Sequence, residues 1–201
     1  MTKQPPVTQL HNVHGRGTWD TVMTLEGGVD TLEPDALDLR HSALAPVDKA
    51  TFRQALSQFA SGVTVVTTAY EGSYHGITVS AFSSLSLDPP LVLVCIDRRG
   101  RSHELLAKAG VFAVNILSEE RADLSQHFAS RIEDKFANVD YHLGQTGVPL
   151  LDGALTTIEC RLVNQWPGGD HSIFVGEVVG AAVHDEADAL VYHRGRYRRL
   201  V

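Results

Sequence analysis

The sequence predicts a mainly β protein with short helices, whose strands close into an antiparallel barrel. Runs rich in β-branched and aliphatic residues, which are typical of strands, recur along the chain and are separated by turn residues. The first run, 63–70 (VTVVTTAY), precedes the turn signal Glu71-Gly72-Ser73 and a second strand around 74–82. Pro89-Pro90 cannot continue a central strand, so the run LVLVCID begins a new one. The later runs VFAVNIL, LTTIECRLV, SIFVGEVVGAAV and ALVYH complete a pattern that favours a barrel.

Short helices are predicted between these strands. Asp48 is positioned to cap the first helix, whose apolar residues recur at helical spacing. The residues of this apolar face are Phe52, Leu56 and Phe59. Ser102 is predicted to cap a second helix, SHELLAKA, which Gly110 ends. A third helix is predicted over 119–128.

Length and composition predict one soluble, cytoplasmic domain over residues 46–201. The chain has 201 residues, of which 43% are hydrophobic and 20% charged, as in ordinary globular proteins. A formal charge of -7 argues against nucleic-acid binding, which needs a basic surface. No apolar run is long enough for a membrane span, and the N-terminus lacks the apolar core of a signal peptide. Cys95 and Cys160 lie inside apolar runs, which predicts two buried thiols rather than a disulfide.

Residues 1–45 differ from the rest of the chain and are predicted to form a partly irregular extension. They hold scattered Pro, Gly and His without a helical or strand period. Their charged residues sum to -3, from Lys3, Arg16, Arg40, Asp20, Glu26, Asp30, Glu33, Asp35 and Asp38. His11 and His14 have no further metal-ligating residue types nearby, so a solvated tail is favoured over a metal pair, and no metal site is predicted.

Familiar nucleotide-binding loops are absent from the sequence. Gly15-Arg16-Gly17 lies in the irregular extension without a preceding strand, so it is not a Rossmann turn. The segment 75–90 instead carries many hydroxyls at a strand end: Thr78, Ser80, Ser83, Ser84 and Ser86. Hydroxyls and free amides can bind phosphate, and Gly76 allows a close backbone approach. The same composition is also common in ordinary turns, so these residues alone leave both interpretations open.

Ordered sequence blocks resolve this choice. They are Phe52-Arg53, 61–68 (SGVTVVTT), 75–79 (HGITV), 86–90 (SLDPP), Arg101-Ser102, 114–117 (VNIL), His127-Phe128, 134–136 (DKF), 169–171 (GDH) and 192–197 (YHRGRY). In this order they resemble the flavin reductase family, which has an FMN-binding split barrel with a Greek-key-like path. The resemblance covers residues 50–200 and leaves the extension outside.

The resemblance implies a flavin site on specific residues of this chain. Arg101 and Ser102 suit the flavin phosphate, since one offers a guanidinium and the other lies at a predicted helix start. For Arg101 the alternative is a solvated loop charge. The full implied set is His75, Gly76, Ile77, Thr78, Ser80, Ala81, Cys95, Ile96, Asp97, Arg101, Ser102, Phe128 and Ala129.

The resemblance also implies a nicotinamide side. His171, in the Gly-Asp-His block, is the implied catalytic residue, with a turn-capping histidine as the alternative. Near the C-terminus the implied cofactor-binding residues are His193, Arg194, Gly195 and Arg196. If this run is a strand, Arg194, Arg196 and Arg198 share a face that suits the NAD(P)H phosphates. Nucleic acid and an ordinary basic edge strand are the alternatives for this stripe.

The implied function is reduction of FMN or FAD by NADH or NADPH, with hydride transfer to flavin N5. The reduced flavin is then expected to pass to a separate flavin-dependent monooxygenase component, and the protein to be a homodimer. The alternative is a split-barrel flavin sensor or carrier without turnover. The sequence separates neither the two flavins nor the two nucleotides.

Overall fold

The structure is a computed structural model that describes residues 45–184 and 187–200. Almost all of the predicted N-terminal extension, including His11, His14 and Gly15-Arg16-Gly17, therefore lies outside the described residues. No helix in the described part of the chain is both long enough and apolar enough to cross a membrane.

The described residues form a mainly β fold with short helices. The helices are α1 (Lys49–Leu56), α2 (Arg101–Ala109) and α3 (Ala122–Ala129), with a 3-10 turn at Glu119–Arg121 before α3. The first strands are β1 (Ser61–Gly62), β2 (Thr64–Tyr70), β3 (Ser73–Val79), β4 (Phe82–Leu87), β5 (Pro90–Asp97) and β6 (Val111–Leu117). The later strands are β7 (Tyr141–Leu143), β8 (Pro149–Leu151), β9 (Ala154–Gly168), β10 (His171–Val183), β11 (Val191–His193) and β12 (Arg196–Arg198).

Seven strands make one antiparallel sheet in the order β3-β2-β6-β9-β10-β5-β4. Its two edge strands, β3 and β4, follow each other in the chain and are joined by only Ser80 and Ala81. This short link holds the two edges close together, so the sheet must curl round on itself. The result fits a split barrel and confirms the predicted fold class.

Two large apolar clusters and a small third one around Val148 fill the described fold. The first lies within the large sheet and includes Val94, Ile96, Phe112, Val114 and Phe174, all at most 2% exposed. The second packs between the sheet and α3 and includes Val65, Leu117, Leu124, Phe128 and Leu151. Burial of these side chains supplies the main stabilisation of the barrel, and it fixes α3 against the strands that carry the candidate site.

Several local elements form as the residues predict. Asp48 caps α1, because its Oδ1 accepts hydrogen bonds from the backbone nitrogens of Ala50 and Thr51 at 2.8 and 3.0 Å. Gly110 ends α2 in the left-handed region at φ +66°, where a side chain would be strained. Cys160 is buried and Cys95 is partly buried, and both are free thiols.

Two predicted elements are wrong in detail. The strand expected over 74–82 is interrupted, because the chain leaves one edge of the sheet after Val79 and joins the other at Phe82. Ser102 does not cap α2: Gly100 occupies the cap position, and Ser102 is a buried residue inside the first turn.

The apolar face of α1 is not covered by the described core. The helix buries none of its residues, and Phe52 and Leu56 are 54% and 56% exposed. The helix also ends at Leu56, so Phe59, which is 76% exposed, lies beyond it rather than on its face.

Candidate functional site

Strand β3 is joined to helix α2 by a histidine–serine contact. His75 Nε2 and Ser102 Oγ lie 2.8 Å apart and share a hydrogen bond. Burial, together with the positive charges of Lys135 and Arg101, lowers the pKa of His75 to about 4. The imidazole is therefore neutral near pH 7, and it holds the Ser102 hydroxyl that the resemblance assigned to the flavin phosphate.

Strand β3 is also packed directly against helix α3. A Cβ on Gly76 would lie 2.6 Å from Cε1 of Phe128, so only glycine fits at this position. Two residues along, Thr78 Oγ1 donates to the carbonyl of Ser125 at 2.6 Å. These contacts fix one wall of the candidate site, which we call the flavin wall after the ligand that the resemblance implies here: β3 from His75 to Thr78, with Ser125 and Phe128 of α3.

The opposite part of the site lies where β4, β5 and β10 meet. The Cys95 amide donates to the Ala81 carbonyl at 3.0 Å, which places the β3–β4 link beside β5. The β5–β10 ladder pairs Asp97 with His171, and the Arg98 amide donates to the Asp170 carbonyl at 3.0 Å. The predicted flavin residues of β5 are thereby brought next to the predicted catalytic histidine.

His171 is held by its neighbour at the start of β10. His171 Nδ1 and Asp170 Oδ1 lie 2.7 Å apart, while the histidine side chain is 44% exposed. This hydrogen bond lowers the pKa of Asp170, and hydrogen bonds from Arg99 lower the pKa of Asp97. Two ionised carboxylates therefore lie near His171. Because Nδ1 contacts Asp170, Nε2 is on the side of the ring that faces away from it.

The predicted flavin residues differ in what they present to the surface. Ser80, Ala81, Arg101 and Ala129 are exposed. Ile77, Cys95 and Asp97 are partly exposed, and burial raises the pKa of the Cys95 thiol, which keeps it neutral. Ile96 and Phe128 are buried, with 2% and 0% of the whole residue exposed, so neither presents surface to a ligand in this structure.

Two cavities adjoin this region. One of about 310 Å³ is lined by Phe59, Ser61, Thr64, Ser80, Phe82 and Ile116, among others. The other, of about 360 Å³, is lined by Tyr74, His75, Arg101, Leu105, Glu133 and Phe136, among others. They lie beside the link that joins β3 to β4 and beside the start of α2. Predicted flavin residues therefore line both.

The C-terminal run is a hairpin rather than one strand, so the predicted stripe of three arginines is wrong. Arg194 and Gly195 have φ of +51° and +73° and form the two-residue turn between β11 and β12. Only Arg196 and Arg198 share an exposed face of β12. His193 pairs with Arg196 in the ladder.

The hairpin is anchored at its tip and at its base. At the tip, Arg194 Nε donates to Gln58 Oε1 at 2.8 Å and its amide donates to the Ser57 carbonyl, so the tip lies against the end of α1. At the base, the Tyr197 hydroxyl and Ser125 Oγ lie 2.8 Å apart. Through Ser125 the hairpin is joined to the flavin wall.

Lys135 is the residue of this site that the sequence reasoning missed. Its ammonium donates to the carbonyls of Phe128 and Gly76, at 2.6 and 3.2 Å. The Asp-Lys-Phe block that contains it was among the blocks of the resemblance, and that was the available signal.

Across residues 45–184 and 187–200, no group of three His, Cys, Asp or Glu side chains is arranged to hold a metal ion.

Comparisons with known proteins agree on one family. The family model described as "Flavin reductase like domain" matches residues 56–201. The chain is 44% identical to the reductase component of a 4-nitrophenol 4-monooxygenase/4-nitrocatechol 2-monooxygenase from Rhodococcus opacus, over 81% of this chain and 87% of that protein. It is 38% identical to an NADH-dependent FAD reductase from Streptomyces globisporus, over 77% of this chain and 87% of that protein.

Solved structures give the same result. The fold is similar to nitrilotriacetate monooxygenase component B from Mycobacterium thermoresistibile, with a TM-score of 0.75 at 40% identity, over 77% of this chain and 87% of that one. It is also similar to an NADH:FAD oxidoreductase of Streptomyces globisporus in complex with NAD and FAD fragments, with a TM-score of 0.75 at 36% identity. That match covers 80% of this chain and 97% of the other.

Proposed function

We propose that this chain, which belongs to the flavin reductase family, uses NADH or NADPH to reduce FMN or FAD and supplies the reduced flavin to a separate monooxygenase. The observation that carries the proposal is the grouping of candidate flavin residues on β3, β5, α2 and α3. Contacts of β3, β5, α2 and α3 bring the predicted flavin residues together, and the β5–β10 ladder adds His171. The names of the relatives given above support the same activity.

The side-chain and backbone groups of the candidate site suit a flavin. Arg101 is exposed and presents a guanidinium for the phosphate. Ser80 and Ala81 present a hydroxyl and backbone groups beside Cys95 and can line the ribityl chain and the ring. Ser102 contributes less directly than the sequence suggested, because it is buried and its hydroxyl is held by His75. In our proposal, Ser102 supports the site by joining α2 to β3 rather than by contacting the flavin.

His171 serves the nicotinamide side in this proposal. Its contact with Asp170 fixes the ring and leaves Nε2 facing away from the carboxylate, where we propose that the nicotinamide binds. There the histidine orients the nucleotide and can donate or accept a proton near the reacting atoms. Arg196 and the tip of the hairpin are secondary candidates for the nucleotide phosphates.

The chemistry itself belongs to the bound flavin, which accepts the hydride at N5. The protein has to hold the nicotinamide close to that atom and exclude other orientations. The wall of the site is suited to this task because its position is set by buried and part-buried contacts, among them the Thr78–Ser125 hydrogen bond. No protein nucleophile is needed.

The experiment is a steady-state assay that crosses FMN and FAD with NADH and NADPH. Flavin-dependent oxidation of at least one nucleotide is expected, and the preferred pair identifies the natural substrates. If no combination shows flavin-dependent turnover, the proposal fails. Flavin binding without oxidation of either nucleotide identifies the protein instead as a flavin carrier or sensor.

The partners in this proposal are a monooxygenase component, which receives the reduced flavin, and a second copy of this chain. The support for a homodimer is the uncovered apolar face of α1, where Phe52 and Leu56 are more than half exposed and the helix buries nothing. Large exposed apolar side chains of this kind mark interaction surfaces.

The dimer is tested by light scattering on the purified protein. The wild type is expected at twice the chain mass, and L56E at the chain mass. K49E, a charge change at the first residue of the same helix, is the control and is expected to stay dimeric. A monomeric wild type contradicts the dimer while leaving the reductase assay unaffected.

Cytoplasmic residence completes the proposal. Cys95 and Cys160 are free thiols in the described structure, as is usual in a reducing compartment. Expression with a compartment-specific reporter would test it, and export of the natural protein would contradict it.

A further inference from the structure

Lys135 joins the two elements of the flavin wall. Its ammonium donates to the Gly76 carbonyl on β3 at 3.2 Å and to the Phe128 carbonyl on α3 at 2.6 Å. These are the residues whose side-chain positions are in direct contact, since a Cβ on Gly76 would overlap the Phe128 ring. One ammonium therefore fastens the backbone at the point where the strand and the helix touch.

The turn that presents Lys135 is itself fixed. Asp134 Oδ1 accepts from the amides of Phe136 and Ala137, both at 3.1 Å. His127 Nε2 donates to the Lys135 carbonyl at 2.7 Å, so the backbone of Lys135 is held by the same helix that its side chain contacts. The ring of Phe136 packs edge-on against Phe128, with centroids 5.3 Å apart. The Lys135 ammonium therefore extends from a backbone segment whose position is fixed.

The electrostatic setting favours an ammonium at this position. Phe128 is in the last turn of α3, where carbonyl oxygens carry the negative end of the helix dipole. The partial burial of the Lys135 ammonium lowers its pKa. The carbonyls that Lys135 contacts are neutral and do not cancel its charge. That charge contributes to the lowered pKa of His75, which precedes Gly76 on β3.

We propose that Lys135 is a positioning residue for the flavin, because it sets the distance between β3 and the end of α3 and so fixes the wall against which the flavin lies. This rests on the proposed function. Phe128 and Ala129 belong to the predicted flavin set: Phe128 is wholly buried, backbone included, while Ala129 is exposed. By holding the Phe128 carbonyl, Lys135 fixes the end of α3 that carries Ala129.

The test compares K135M and K135R with K108M. Lys108 is an exposed lysine paired with Glu104, which makes it a matched control for the loss of a charge. Dissociation constants for riboflavin, FMN and FAD are measured by flavin fluorescence. K135M is expected to weaken all three flavins about tenfold, as the loss of charge-assisted hydrogen bonds predicts, with kcat at saturating flavin within about twofold of wild type. K135R is expected to restore most of the affinity.

The outcomes separate positioning from direct contact. Riboflavin has no phosphate, so weakening of FMN and FAD alone would show that Lys135 binds the phosphate and would overturn the positioning role. Unchanged affinity for all three flavins in a folded K135M would also overturn it.

Two further measurements keep the test decisive. If K135M does not fold, K135Q replaces it, since its uncharged amide keeps N–H donors for the carbonyls, and the same riboflavin comparison decides. Wild-type turnover is established first, so a failure of the reductase function is visible in the wild type and a failure of this inference only in the variants.

Discussion

The two sides of the candidate site are built differently. The flavin wall is made of one buried and one part-buried contact: Gly76 against Phe128, and Thr78 bonded to Ser125. The nicotinamide side rests on His171, which is 44% exposed and held by a surface carboxylate. The residues of the flavin wall are positioned by packing, whereas the nicotinamide side depends on the chemistry of one side chain, His171. Changes to the wall should therefore affect stability and flavin affinity together, whereas changes at His171 should affect turnover alone.

The largest expected effect is that of H171A. We expect it to lower kcat/KM for the nucleotide about 100-fold, as the loss of a positioned acid–base group does, with the flavin dissociation constant unchanged. Steady-state kinetics and fluorescence titration measure the two quantities. H142A is the matched control, because His142 is also an exposed histidine bonded to an aspartate, Asp152, at 2.9 Å. Equal turnover in wild type and H171A would remove His171 from the site.

A substitution in the wall should give the next largest effect. G76A places a methyl group against the buried Phe128 ring, and overpacking of this kind costs about 2 kcal/mol in the free energy of unfolding. Flavin affinity should fall with it. Urea denaturation measures the change. G62A is the control, since a Cβ at Gly62 meets no atom within 4 Å. A stable G76A with normal flavin affinity would show that the wall is not rigid.

The pH dependence of stability tests the wall in a third way. The pKa of His75 is about 4 in the folded protein, against an ordinary value of 6.5. Between these values the unfolded chain binds a proton that the folded state does not, so stability falls as pH falls from 6.5 toward 4. For a half-buried group we expect a contribution of roughly 1 kcal/mol. In H75Q the loss between pH 7 and pH 5, measured by thermal unfolding, should be smaller. An identical loss would contradict this assignment.

The smallest effect is expected at the tip of the C-terminal hairpin. R194A removes an exposed side chain and its hydrogen bond to Gln58, so the free energy of unfolding should change by no more than about 0.5 kcal/mol. If the tip contacts the nucleotide phosphates, the KM for NAD(P)H should rise about threefold, as the loss of one exposed charge contact predicts. R161A, a change at an exposed arginine of β9, serves as the control. An unchanged KM would assign the tip to α1 alone.

The sequence predicted the strands well because their residues are consecutive. The β-branched residues that form β2 are adjacent in the chain, and the aspartate that caps α1 bonds residues two and three positions further on. The break between β3 and β4 was missed for the opposite reason. Ser80 and Ala81 carry no strong turn signal, and the interruption arises because the chain must pass between two edges of a curved sheet.

For the candidate site, too, local sequence features were predicted better than contacts between distant residues. The resemblance supplied the candidate flavin residues, but it gave no contacts among them, so the part-buried His75–Ser102 hydrogen bond and the proposed role of Lys135 were not foreseen. The hairpin at Arg194 was mistaken for continuous strand, although Gly195 is the residue that permits its turn. Reading Arg-Gly as the centre of a two-residue turn would have found it.

The hydrogen bonds of the flavin wall also bear on how the protein folds. Lys135 and Gly76 are 59 residues apart in the chain, Thr78 and Ser125 are 47 apart, and Ser125 and Tyr197 are 72 apart. Each contact closes a long loop, whose entropy must be lost before the contact forms. The wall can therefore form only after these distant segments have been synthesised, and Tyr197 joins it only when almost the whole chain is present. A chain that stops before β12 lacks this last contact.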